Sequence, residues 1–280
     1  MARYPFSVSM CVYGGDRPDW FRTAVDSILD QSCEPDEVVL VVDGPVPREL
    51  DAVIGMYEQM PQFKVIRLPE NRGHGNARRI GLAQCSHPLV ALMDADDISC
   101  PDRFARQLEL FAEDPSLSAV GGMITEFVDD PAHVVGKRSV PLLDAEIKAE
   151  LKVRCPMNQV TVMFRRDLVE QVGGYIDWYC EEDYYLWLRM VLADMKFANS
   201  PNVLVNVRVG KEMYQRRGGW RYFISEAKLQ KLMLTKGVIG PGRFAVNVGK
   251  RLIVQVLLPN RLRGWVFQKF ARTSAEESAS

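Results

Sequence analysis

Three carboxylates fall within four residues at Asp94-Ala95-Asp96-Asp97, directly after the apolar run Leu89-Val90-Ala91-Leu92-Met93. Such a run reads as a central strand, so the cluster ends a buried element, where negative charge is costly unless a cation sits beside it. In extended backbone Asp94 and Asp96 point to one side and can face one ion. Oxygen-only ligands suit Mn2+ or Mg2+, and so few protein ligands point to a phosphate-bearing substrate completing the shell. The plainer reading is that Asp94 or Asp97 caps the turn, or the helix that begins near Pro101. A second acidic group, Glu181-Glu182-Asp183, opens a helix-like stretch to Leu192. Acids there either serve chemistry or favour a first helical turn through the macrodipole.

The elements that must position these groups alternate. Phe6–Val12, Glu37–Val42, Phe63–Leu68 and Leu89–Met93 read as strands. Between them lie helical stretches from Pro18 to about Gln31, with Asp16 as a candidate cap, from Arg48 to Met60, and from Gly73 to Cys85. Short connections and repeated strand-helix alternation predict a parallel sheet covered on both faces. Ligands of such sheets bind beyond the carboxyl ends of the strands, which singles out Tyr13, Asp43 and Asp94 through Asp97. Further along, the pattern predicts a helix after Pro101, a strand near Ala119–Phe127 and a helix over Asp144–Lys152. A strand at Val160–Phe164, a turn at Gly173-Gly174-Tyr175 and a helical region from about Trp220 follow.

The ordered pieces resemble the family 2 glycosyltransferases over most of residues 6–210. They are Val8-Ser9-Met10-Cys11-Val12-Tyr13, Val38–Asp43, Asn71-Arg72-Gly73 before Ala77-Arg78, and Asp94-Ala95-Asp96-Asp97 with Pro101. Thr161-Val162-Met163-Phe164-Arg165, Gly173-Gly174-Tyr175 and Glu181-Glu182-Asp183 before Leu186-Trp187-Leu188-Arg189 come later. The resemblance implies a GT-A fold, Rossmann-like, with a mixed, mainly parallel sheet flanked by helices. It implies a metal-dependent, inverting hexosyltransferase that uses a nucleotide-sugar, a UDP-sugar, in surface polysaccharide assembly. The acceptor would be a saccharide or a polyprenyl-diphosphate-linked saccharide at the inner membrane face. By position, Tyr13 would flank the base, Asp43 would accept its hydrogen bonds, and Arg72 and Arg78 would contact base or phosphate. Asp94 would approach the ribose and share the metal with Asp96, Asp97 and Glu182 would support, and Asp183 would be the general base. Two departures stand out: Gln159 occupies a place where many relatives carry histidine, and no histidine follows His133 to complete a metal shell near Arg208-Val209-Gly210. The alternative is a noncatalytic nucleotide-sugar-binding scaffold of a polysaccharide assembly complex.

Other classes fit poorly. Gly73-His74-Gly75 lacks the third glycine of a dinucleotide fingerprint, since Arg78 stands there. Gly14-Gly15-Asp16-Arg17 is only a fragment of a pyrophosphorylase loop, and no nucleic-acid module is present. Cys11, Cys33, Cys85, Cys100, Cys155 and Cys180 show no zinc spacing, and no leader is evident, so a cytoplasmic setting is expected.

The formal charge of −1 hides an asymmetry. Ten Lys/Arg and no Asp/Glu lie between Ala227 and Ala275, and with Glu276 and Glu277 set aside positions 1–226 hold 25 basic and 34 acidic residues, or −9. We therefore expect a catalytic unit at 1–215, its nucleotide-sugar half at about 1–100 and acceptor half at about 101–215. A basic, amphipathic helical extension would occupy 216–280, either lying on an anionic membrane or packing on the catalytic unit. Gln215-Arg216-Arg217-Gly218-Gly219-Trp220 between them either closes over the donor diphosphate, with Arg217 as the contact, or is an exposed basic turn.

Overall fold

The computed structural model describes residues 4–210 and 218–258. Its first half alternates as expected: β1 (Phe6–Tyr13), α1 (Pro18–Leu29), β2 (Glu37–Asp43), α2 (Arg48–Glu58), β3 (Phe63–Arg67), α3 (His74–Gln84) and β4 (Leu89–Met93). These strands are all parallel and stand in the order β3-β2-β1-β4. The chain therefore reverses direction across the sheet beside β1, the kind of switch point where ligands bind in open α/β sheets.

Side chains leave the central strands alternately into two apolar layers. Val8, Met10 and Val12 of β1, with Leu40 of β2 and Ala91 and Met93 of β4, join one layer with Phe21 of α1 and Leu50 of α2. Val39 of β2 and Val90 and Leu92 of β4 join the other. Burial on both faces explains why these strands read as unbroken apolar runs. Each such Val, Leu or Phe contributes roughly 1.5–3 kcal/mol by leaving water. The second face of β1 differs, since Ser7 and Ser9 are its buried residues there.

After β4 the chain makes the short β5 (Ile98–Ser99), α4 (Arg103–Glu113), β6 (Leu117–Phe127), β7 (Val134–Arg138), α5 (Asp144–Leu151) and β8 (Met163–Arg165). There follow α6 (Arg166–Gln171), α7 (Glu182–Leu192), β9 (Lys196–Arg208), α8 (Trp220–Thr235), α9 (Pro241–Arg251) and a π-helical turn at Leu252–Leu257. The sheet continues β4-β8-β6-β9-β5, with β8 antiparallel to both neighbours, β6 and β9 parallel, and β7 on β6.

Several elements depart from expectation. The strand anticipated at Val160–Phe164 divides into a 3-10 turn, Gln159–Thr161, and β8. β9 was hidden because Pro201 interrupts it, and a proline cannot donate to the ladder. The β6–β9 register shifts nearby, around Gly122–Ile124. Asp16 does not cap α1; its carboxylate accepts from the Tyr13 N–H at 2.9 Å, and Arg17 holds the capping position without a side-chain bond.

The described chain after residue 218 joins the second apolar layer through Leu229 and Met233 of α8 and Ile239 in the connection to α9. Polar contacts, some of them buried, fasten these helices as well. Glu226 pairs with Arg251 at 2.8 Å, with only 10% and 13% of the side chains exposed. Arg251 Nη2 donates to the Val153 carbonyl at 3.0 Å, and Asn247 Nδ2 donates to the Lys152 carbonyl and Gln230 Oε1, each at 2.8 Å. No described helix is long and apolar enough to cross a membrane. Positions 259–280 of the expected amphipathic extension lie outside the described residues.

Removing one partner of a buried ion pair leaves an uncompensated charge. Arg251→Ala is expected to destabilise the protein by roughly 3–5 kcal/mol in urea unfolding, with partial recovery on adding Glu226→Gln. A loss under about 1 kcal/mol would remove this network from the account of stability.

Candidate active site

The carboxyl ends of β1, β2 and β4 bring Tyr13, Asp43 and Asp94 to one edge. Tyr13 and Asp43 are register partners across the β1–β2 ladder. The Tyr13 ring is 47% exposed, as a base-stacking surface requires. Asp43, by contrast, is buried, and its two oxygens accept the backbone N–H groups of Arg72 at 2.7 Å and Gly73 at 3.0 Å. Its main role in the fold is thus to hold the loop that enters α3, leaving its remaining lone pairs for a ligand. Gly44 makes this possible: φ is +88°, and a Cβ would stand 2.6 Å from the Asn71 nitrogen. Arg72 itself is exposed, with its guanidinium 3.6 Å from Glu70.

The acidic cluster is not extended. β4 ends at Met93, Ala95 and Asp96 turn, and β5 starts at Ile98. Strand alternation therefore does not orient Asp94 and Asp96; the turn does, anchored by Ala95 in the apolar core. Asp94 and Asp96 remain partly exposed while Asp97 is buried. Asp97 accepts the Arg208 backbone N–H at 2.8 Å, and Arg208 Nε donates to the Asp96 carbonyl at 3.2 Å. Burial, followed by the charges of Asp96 and Asp94, pushes the Asp97 carboxyl well above its ordinary range.

Two buried guanidinium groups answer this charge. Arg78 of α3 is ion-paired with Asp94 and hydrogen-bonded through Nε to His74. Its Nη1 is buried without a hydrogen-bond partner, so one donor at the site stands ready for an acceptor. Arg103 of α4 lies beneath the cluster and donates through Nη2 to the Leu92 carbonyl at 2.6 Å. Burial lowers its pKa to about 9, opposed by Cys100, Asp94 and Asp97. Sequence reading missed Arg103 and Arg208. A basic residue two positions after Pro101 was the available signal for the first, whereas only β9 topology reveals the second.

The second acidic group opens α7 and faces the first. A Cβ on Gly75 of α3 would stand 3.5 Å from Glu182 Cβ and 3.8 Å from Asp177 Cα, so the start of α7 lies against the N-terminal turn of α3. Burial, then the charge of Asp183, raises the Glu182 carboxyl to about 7, against the pull of Arg78. Asp183 Oδ2 lies 3.8 Å from the Cys155 thiol, and Oδ1 accepts the Tyr184 N–H at 2.6 Å. Burial and the charges of Glu226 and Asp183 push Glu181 up as well. Gln159 lies beside the Tyr175 phenol, near Arg78, and its Nε2 makes no hydrogen bond of good geometry. Arg217, the anticipated diphosphate contact, is outside the described residues.

Among the described residues no group of three or more His, Cys, Asp or Glu side chains forms a metal cage. The donor set near β4 is hard oxygen, Asp96 with Asp94, and one Asp94 oxygen is taken by Arg78. Such a set fits a divalent cation whose other positions come from substrate phosphate and water.

Residues 7–173 match the family described as Glycosyl transferase family 2. The chain is 36% identical over 94% of its length to the amylovoran biosynthesis glycosyltransferase AmsE of Erwinia amylovora, covering 98% of it. It is 35% identical over 95% of its length to an Escherichia coli UDP-Gal:alpha-D-GlcNAc-diphosphoundecaprenol beta-1,3-galactosyltransferase, covering 96%. The fold matches the mannosyltransferase PcManGT of Pyrobaculum calidifontis, solved with GDP-Man and Mn2+, at a TM-score of 0.64 and 18% identity, over 94% of this chain and 72% of that one.

A raised carboxylate pKa favours the protonated folded state, so it costs stability as pH rises from the ordinary 4.5 to about 7. In metal-free protein Glu182→Gln should therefore gain melting temperature over the parent across that interval. In unfolding free energy the gain should level off above it, at on the order of 3 kcal/mol. A difference independent of pH would show that Glu182 ionises normally.

Proposed function

The chain belongs to the family 2 glycosyltransferases and has their GT-A fold, and from that premise we propose that it transfers a hexose from a UDP-sugar to a lipid-diphosphate-linked saccharide, with inversion. The observation that carries this reading is Arg78, which pairs with Asp94 and feels the charge of Glu182, while the start of α7 packs against Gly75 one turn away on α3. The setting would be the cytoplasmic face of a membrane in surface polysaccharide assembly, with peripheral contact through the basic C-terminal region.

In this reading the exposed Tyr13 ring stacks on the uracil, and Asp43 accepts from its N–H while keeping the Asn71–Gly73 loop in place. Arg78 orients the donor through the Nη1 hydrogens that no protein group accepts, and Arg72 lies at the base or phosphate. Asp96 and Asp94 would hold Mn2+ or Mg2+, which supplies Lewis-acid stabilisation of the departing diphosphate. Asp183 takes the proton from the acceptor hydroxyl as its oxygen attacks the anomeric carbon and the bond to the diphosphate breaks. The direct displacement inverts that carbon. Asp97 and Glu182 act electrostatically, tuning the site's net charge as substrate and cation arrive. Holding donor and acceptor in one cleft removes much of the entropic cost of their meeting.

A donor panel of UDP- and GDP-sugars, with Mn2+ and a short-chain α-D-GlcNAc-diphospho-lipid, tests the reading. Nucleoside diphosphate release should match a disaccharide product of inverted anomeric configuration. Asp183→Asn should lower kcat by roughly 100- to 10,000-fold with donor KM little changed, and Asp96→Asn should abolish stimulation by metal. Retained configuration, or near-parental turnover by Asp183→Asn, would sink the mechanism. A protein that binds UDP but transfers nothing would instead be the noncatalytic scaffold.

A further inference from the structure

We infer that the first two turns of α8 complete the acceptor site, and that the pocket they form with residues 177–179 takes the diphosphate and proximal sugar of a lipid-linked saccharide. This rests on the function proposed above. The pocket has a volume of about 390 Å3, and Asp177, Trp178, Tyr179, Arg221, Ile224 and Lys228 line it with Ser225.

Its α8 wall is one helical face. Arg221, Ile224, Ser225 and Lys228 recur at i, i+3, i+4 and i+7, so they project to the same side. Arg221 and Lys228 are both exposed and stand two turns apart, about 10 Å along the axis. They bracket Ile224, which is 46% exposed. Two solvent-accessible cations around an apolar side chain suit an anion joined to a hydrocarbon. Trp220, 62% exposed at the start of the same helix, extends the apolar surface beyond the pocket.

The opposite wall suits a sugar. Trp178 and Tyr179 offer aromatic surface, and Asp177 offers a carboxylate to hydroxyl donors. The wall is held firmly: Trp178 Nε1 donates to the Ser225 carbonyl at 3.3 Å, Ser225 Oγ donates to the Tyr179 carbonyl at 2.6 Å, and the Arg221 guanidinium lies 3.9 Å from the Tyr179 ring centroid. The pocket is therefore fastened across the two segments that build it.

Its position relative to the chemistry follows from two contacts. Asp177, in the pocket wall, and Glu182, next to Asp183, approach the same point over Gly75 of α3. The pocket therefore lies next to the start of α7, and a saccharide seated on Trp178 and Tyr179 would direct its hydroxyl toward that turn and its phosphates along α8. The family-wide match ends at residue 173, before every residue of this pocket.

The test compares direct binding, by tryptophan fluorescence, with steady-state transfer, using a short-chain α-D-GlcNAc-diphospho-lipid and an alkyl α-D-GlcNAc glycoside without phosphate. Arg221→Gln/Lys228→Gln should weaken diphospho-lipid binding, and raise its KM, about tenfold or more. Donor KM should stay unchanged, as should affinity for the phosphate-free glycoside. Arg221→Lys/Lys228→Arg should restore most of the loss. Unchanged diphospho-lipid affinity in the Gln variant would overturn the inference. So would an equal loss with the phosphate-free glycoside, or equal binding of phosphatidylglycerol vesicles without saccharide. Because binding is read without turnover, failure of transfer in the parent protein would sink the proposed function while the pocket is still judged by affinity.

Discussion

Charge crowding at the end of a buried strand is the constraint from which the arrangement follows. Asp94, Asp96 and Asp97 end β4 where both faces of the sheet are dry, and like charges so placed repel strongly. The fold answers from three directions: Arg78 reaches in from α3, Arg103 lies beneath on α4, and β9 brings the Arg208 amide to Asp97. Each answer fixes an element. α3 is tied to β4, α4 is tied to the Leu92 carbonyl, and the far strand β9 is tied to the turn. Burial beside Asp96 and Asp94 raises the Asp97 carboxyl, so protonation is the folded chain's own answer to the crowding.

The same logic governs the start of α7. Glu181, Glu182 and Asp183 are adjacent, and burial raises the first two. The helix N-terminus offsets part of that cost, as the macrodipole favours acids there. Arg78 acts on both acidic groups, lowering Glu182 while pairing with Asp94. One guanidinium therefore links the proposed donor side to the acidic start of α7.

The parallel half of the fold was legible because burial on both faces writes itself as apolar runs, and because Gly44, Gly73 and Pro18 mark the turns between them. The acidic clusters were legible for the opposite reason, as charge where burial forbids it. β9 was not: Asn199, Ser200, Pro201 and Asn202 obscure its period, and only pairing with β6 makes it a strand. The extended backbone expected for Asp94 and Asp96 carried strand alternation past Met93, where the chain in fact turns. Asp43 was legible as an acceptor, but its hold on the Arg72 and Gly73 backbone amides is an arrangement no local pattern announces. The place of the C-terminal helices was also open, since their apolar residues fit a membrane and a core equally well. Leu229 and Met233 decide it for α8 by filling the second apolar layer.

That layer has a bearing on how the chain is made. Leu82 and Val90 are synthesised early, but the residues that shield their side of the sheet include Leu229, Met233 and Ile239, more than a hundred positions later. During translation the N-terminal strands can pair long before that surface is covered. A growing chain thus lacks the last part of that layer until late in its synthesis, which is when chaperone contact or aggregation competes with folding.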